Sequence, residues 1–152
     1  MNPLLFAPDL ECALGAHVTN PLSSLHAMAT KGQTEAAISE ALIQFEREYM
    51  GRGPEGAKTY ILGDIILVRL MGILTPAEKN LAMIEDSRHG RKLIKQVRNE
   101  LLENARPQLD AIIQDVTGQK AKSLHTDIST ATGERVILFT LESAPELENS
   151  NG

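Results

Sequence analysis

Seven consecutive residues, Ile65-Ile66-Leu67-Val68-Arg69-Leu70-Met71, constrain the fold of this chain more than any other stretch. In an extended strand, side chains alternate between faces, so Ile65, Leu67 and Met71 fall on one side and Ile66, Val68 and Leu70 on the other. A strand that is apolar on both faces is expected to be covered on both. The segment before it, Lys58 to Leu62, is also rich in β-branched and large apolar residues, and the Gly63-Asp64 pair between them is the Gly-X dipeptide of a two-residue II′ turn. The chain therefore contains a β-hairpin whose second strand needs neighbours above and below.

Helices flank this hairpin. From Gln33 onward, Ile38, Leu42, Phe45 and Tyr49 recur at spacings that form one apolar stripe, and Gly51 follows as a C-terminal glycine. Thr75-Pro76-Ala77-Glu78 is a capping box with proline at the first helical position, where its missing N–H costs nothing. This reading spends the Glu78 side chain on its own helix cap. The helix breaks near Asp86-Ser87 and resumes through Leu93, Val97, Leu101, Leu109, Ile113 and Val116, with Pro107 kinking or splitting the run and Gly118 ending it. Residues 119–127 and 135–141 form a second hairpin about the Thr130 to Gly133 turn.

The order helix, hairpin, two helices, hairpin predicts an α+β single domain with a mostly antiparallel sheet of about four strands, packed on long helices. The second cover for the doubly apolar strand comes from the first helix or from a second copy of the chain as a homodimer. Residues 1–31, with three prolines and no sustained period, read as a largely disordered arm; residues 32–142 form the domain; residues 143–152 read as a disordered acidic tail.

Composition narrows the partners. A net charge of -5 argues against a protein devoted to nucleic acid, whose phosphates demand a basic face. The one cysteine, Cys12, forms no internal disulfide, and no leader pattern is present, so a reducing cytosol is expected. No run approaches the roughly 20 apolar residues that span a bilayer, so direct membrane insertion is not expected.

Gly-Arg-Gly-Pro at 51–54, Lys58 to Leu62, Leu74-Thr75-Pro76-Ala77-Glu78-Lys79, the Gly90 to Ile94 run with Val97-Arg98, Arg106-Pro107-Gln108-Leu109, Thr117-Gly118, His125 to Thr130 and Thr132 to Val136 together resemble the MpsC-like domain, over about residues 33–141. Where relatives place a compact Glu-Gly-Arg after the first central helix, this chain has Asp86-Ser87-Arg88-His89-Gly90-Arg91. The family has long been catalogued as of unknown function. Its name comes from a sodium-translocating, membrane-potential-generating system linked to inorganic-carbon uptake. The resemblance implies a cytosolic accessory or regulatory component that acts by protein contact, with a membrane transporter subunit as partner.

The residues themselves offer three places for chemistry. Arg52 and Lys58 stand in the glycine-rich turn, where backbone N–H groups can approach an anion. That turn lacks the Gly-Lys-Ser/Thr ending of a P-loop and runs into a strand instead of a helix, so it is not one. Arg91, Lys95 and Arg98 share a helical face at spacings of four and three, and with Arg69 they extend the basic set. The competing account is a solvated face paired with glutamates. His125 and Asp127 point to one side of a strand, the raw material of an acid–base pair, but also of a turn aspartate beside an exposed histidine. Two ligands from one strand do not close a metal site, and Cys12, His17 and His26 lie in the arm, so no metal or other cofactor is expected. Two functions stay open: a non-enzymatic accessory protein, and a small-anion or nucleotide sensor built on Arg52, Lys58, Arg69, Arg91, Lys95, Arg98, His125 and Asp127.

Overall fold

The computed structural model describes residues 29–148. Most of the expected amino-terminal arm lies outside these residues, as does the last part of the acidic tail. The elements follow the expected order: α1 (Lys31–Tyr49), β1 (Gly56–Leu62), β2 (Ile65–Met71), α2 (Pro76–Met83), α3 (Arg88–Asn104), α4 (Arg106–Thr117), β3 (Ala121–Ser129) and β4 (Glu134–Leu141). The fold is α+β, with one four-stranded sheet in the order β1-β2-β4-β3 and every neighbouring pair antiparallel.

Local chemistry accounts for the element ends. Thr30 opens α1 as a capping box with Gln33: Gln33 N–H donates to Thr30 Oγ1 (3.2 Å) and Thr30 N–H to Gln33 Oε1 (3.0 Å). At the first hairpin Leu62 pairs with Ile65, and Gly63 carries a φ of 62° while Asp64 does not take a positive φ, as a II′ turn requires. Pro107 starts α4 in its first turn and splits the long helical run at Ala105. Gly118, at φ 74°, caps α4 in the left-handed conformation and returns its N–H to Gln114 O (2.8 Å).

Register puts Thr59, Ile61, Ile66, Val68, Leu70, Ile128, Arg135, Ile137 and Phe139 on one face of the sheet, and all of them are buried. Ile38, Leu42 and Phe45 of α1, Ile94 and Leu102 of α3, and Leu109 and Ile113 of α4 pack against this face in one core. Fully burying each such side chain is worth about 1.5–3 kcal/mol. Because α1 packs on the same face as the other helices, it does not cover the second side of β2. That removes the first helix as the second cover: within one chain Ile65 and Leu67, with Tyr60, Val136 and Leu138 beside them, are only half-buried, and Leu62 and Met71 are exposed.

Past Leu141 the chain turns back toward α1. Glu142 N–H donates to Lys120 O (3.0 Å), Pro145 is buried, Leu147 packs on the core, and Glu148 N–H donates to Ala29 O (2.9 Å).

Candidate functional site

The loop from Ile73 to Thr75 joins β2 to α2, and arginines strap it down. Arg98 donates through Nε to Glu78 Oε1 and through Nη2 to Glu78 Oε2 (each 2.8 Å), and its Nη2 also reaches Ile73 O (2.8 Å). Arg52 Nη1 donates to Leu74 O (2.8 Å). Glu78 closes the expected capping box, with Thr75 N–H donating to its Oε2 (2.7 Å) and its own N–H to Thr75 Oγ1 (3.2 Å). It therefore does two jobs, cap and arginine clamp, where the sequence reading allowed one. Burial pushes the Glu78 carboxyl up, but the Arg98 hydrogen bonds and the Thr75 backbone donation outweigh that, and the group stays below its ordinary value.

Behind this strap lies Arg135, fully buried on the inner face of β4. Its Nη2 donates to Arg98 O (2.8 Å) and Asn99 Oδ1 (3.3 Å), and its Nη1 lies 3.7 Å from Glu46 Oε1 on α1, which is also buried. Burial lowers the Arg135 guanidinium to about 10 against the opposing pull of Glu46, so it remains a cation at neutral pH. Burial likewise raises the Glu46 carboxyl, with Arg135 and Arg98 opposing. Glu46 Oε1, Arg98 Nη1 and Arg135 Nε and Nη1 have no hydrogen-bond partner among the described residues. The set ties α1, α2, α3 and β4 together inside the fold.

In front of the strap a cavity of about 770 Å³ opens between α2, α3 and the β3–β4 turn. Lys79, Arg91 and Lys95 supply cations from two helices, and Ser129, Thr130 and Thr132 face them with hydroxyls from the turn. Leu74, Ala82, Met83 and Ile128 supply the apolar lining. Arg91 is held in place: its Nη1 donates to Ser87 Oγ (2.7 Å), and that buried hydroxyl donates in turn to Ala82 O (2.9 Å). The volume lies in the range of sites for small ligands.

Of the residues singled out from sequence, Arg91 and Lys95 line this cavity, and Asp127 sits at its edge through a bond from Lys95 Nζ (3.0 Å) that holds its carboxyl below the ordinary value. The others do not converge there. Arg98, which shares a helical face with Arg91 and Lys95 by spacing, turns into the interior. Arg52 serves the Leu74 carbonyl. Arg69 pairs with Glu134 on the outer sheet face (Nη2 to Oε2 2.6 Å), and Lys58 lies over the Tyr60 ring, 5.5 Å from its centroid. His125 is exposed on that same face, 3.4 Å from Ser123 Oγ, whereas Asp127 bonds Lys95. Sequence reasoning did not single out Lys79, Thr130 or Thr132 as site residues. Lys79 follows directly on the capping box, which fixes where the helix starts but not which way its next side chain looks.

Among the described residues, no helix is long and apolar enough to cross a membrane. The chain is 48% identical over 112 residues to the uncharacterized protein YbcI of Bacillus subtilis (strain 168), an alignment spanning 74% of this chain and 88% of that one. No solved structure matches it. The family model described as "Na+-translocating membrane potential-generating system (MpsC)" matches residues 30–143, which takes in every helix and strand among the described residues, and the chain belongs to the MpsC family.

Proposed function

We propose that this chain is a non-enzymatic cytosolic accessory component of a cation-translocating membrane system, acting through protein contact as a homodimer. The observation that carries this reading is the outer face of the sheet. Tyr60, Ile65, Leu67, Val136 and Leu138 form a continuous, half-exposed apolar patch across three strands, opposite the face that takes the helices. Contiguous apolar patches of that kind mark contact surfaces.

The patch is self-complementary. Register aligns Tyr60, Leu67, Leu138 and His125 in one row and Lys58, Arg69, Val136 and Asp127 in the next. A two-fold axis running along the strands between β2 and β4 would lay Leu67 of one copy on Leu138 of the other. It would also bring the cationic Lys58 corner toward the anionic Asp127 corner. Such an isologous contact needs each patch to match its own rotated copy, and the order of these two rows supports it. The family's description supports a membrane system as the further partner, and the separate engagements of His125 and Asp127 support contact over catalysis.

Sedimentation velocity on the full chain tests the dimer. A dimer is expected for the native protein, and a monomer with unchanged circular dichroism for the Leu67→Lys/Leu138→Lys variant. A native monomer at tens of micromolar overturns the homodimer. Recovery of no membrane subunit with the tagged protein from native membranes in mild detergent overturns the accessory role.

A further inference from the structure

We propose that the cavity between α2, α3 and the β3–β4 turn is a binding site for a phosphate group carried on an aliphatic body. Among the described residues, three cations, Lys79, Arg91 and Lys95, line it, and no carboxylate does. In a chain of net charge -5, such a concentration of positive charge in one concavity focuses a field that an anion relieves. Arg91 is pre-oriented by Ser87, which lowers the ordering cost of binding and leaves most of its five donors for a ligand. Among the described residues Lys95 is held by Asp127 alone, at an exposed rim, the kind of ion pair worth little, so a phosphate oxygen can replace the carboxylate at small cost.

The opposite wall is built to donate as well. Ser129 Oγ accepts from Thr132 N–H (3.3 Å), and Thr132 Oγ1 accepts from Glu134 N–H (3.3 Å). Each hydroxyl thereby keeps its O–H as a donor toward the cavity. Cations on one side and hydroxyl donors on the other suit a group with several acceptor oxygens, which is the chemistry of phosphate. Among the described residues no aromatic ring lines the cavity to stack on a nucleotide base, and Leu74, Ala82, Met83 and Ile128 fit an aliphatic chain. Met83 borders the mouth at 81% exposure and Ile84 follows at 59%, so the phosphate can belong to a soluble ester or to a lipid headgroup.

The test uses the full chain at matched ionic strength, with chloride as the reference anion. Thermal-shift titrations with inorganic phosphate and glycerol 3-phosphate read the soluble source. Co-sedimentation with phosphatidylglycerol vesicles, against phosphatidylcholine vesicles, reads the headgroup. A saturable rise in melting temperature, or binding selective for the anionic vesicles, is expected, and which arm responds names the source. Lys79→Gln and Arg91→Gln should each weaken the response at least tenfold, while Lys92→Gln, an exposed cation outside the cavity, should not. Because Arg91 also braces Ser87, Lys79→Gln is the variant that keeps the test valid if Arg91→Gln loosens the helix junction. No response in either arm overturns the proposal, and so does a response that Lys79→Gln and Lys92→Gln reduce equally.

Discussion

Glu78 concentrates the physics of this fold at the scale of one residue. Its folded carboxyl titrates below the ordinary value of 4.5, because the Arg98 and Thr75 donors favour the charged form more than burial disfavours it. A depressed folded pKa contributes stability that is present above the unfolded value and is lost as pH falls through the folded one. Glu46 has the opposite sign: its raised pKa makes the folded form take up a proton more readily, so its share of the stability falls as pH rises above 4.5. Glu78→Gln isolates the first effect, since glutamine resembles the protonated acid. The variant should lose about 2 kcal/mol at neutral pH, the worth of a charge-assisted hydrogen bond in a half-buried setting. The gap to the native protein should close as pH drops below 4.5. Urea melts across a pH series measure it, and a gap that stays constant with pH would show that the clamp is not ionic. Glu78 was legible in the sequence as a cap because its partner is three residues away. Its second partner, Arg98, and the Arg135–Glu46 pair behind it join residues far apart in the chain, and no local pattern records such a pairing.

Elements were legible where their ends are written in local chemistry. The Thr75 capping box, the Gly63-Asp64 turn, the Pro107 split and the Gly118 cap each specify a backbone geometry within a few residues, and each falls where expected. Which side of the sheet a helix covers is decided by packing between distant segments, and periodicity is silent on it; hence the sequence left the first helix and a second copy as alternative covers for β2. The α2–α3 junction shows the same division. Asp86-Ser87 marks the break, yet what lets the two helices approach is Gly90. A Cβ there would lie 2.8 Å from the Leu81 carbonyl oxygen and 3.0 Å from Leu81 Cγ, and backbone cannot swing aside as a flexible side-chain tip can. Gly90→Ala should therefore destabilise the protein by about 1–3 kcal/mol despite alanine's better helix propensity. Gly32→Ala, at a helical position where a Cβ meets nothing within 4 Å, should be neutral or mildly stabilising. Chemical denaturation of the two variants side by side tests this. Equal effects would mean that the helix contact does not depend on the missing side chain.

At the scale of the whole molecule the two faces of the sheet divide the work. The inner face, with the helices, forms the core and positions the cavity, while the outer face keeps large apolar side chains half in water. A monomer that leaves such a face open forgoes burial that a second copy would supply, so under the proposed pairing the dimer would be part of the stability of the fold. The consequence is thermodynamic as well as hydrodynamic. If folded protomers pair and unfolded chains do not, dilution favours unfolding, because two unfolded chains are released for each dimer lost. Each tenfold rise in concentration contributes about 1.4 kcal/mol per dimer. Shared between two chains of this size, that raises the melting temperature by about 2 °C. The Leu138→Lys variant should melt lower and at a temperature independent of concentration, since a charge on the central row of the patch penalises the paired state and costs the half-exposed monomer surface little. A native melting temperature that does not move across two decades of concentration would leave the patch without a second copy to cover it. Because the cavity lies on the helix side of the sheet, phosphate binding by the Leu138→Lys monomer should persist, which separates the contact surface from the ligand site in one variant.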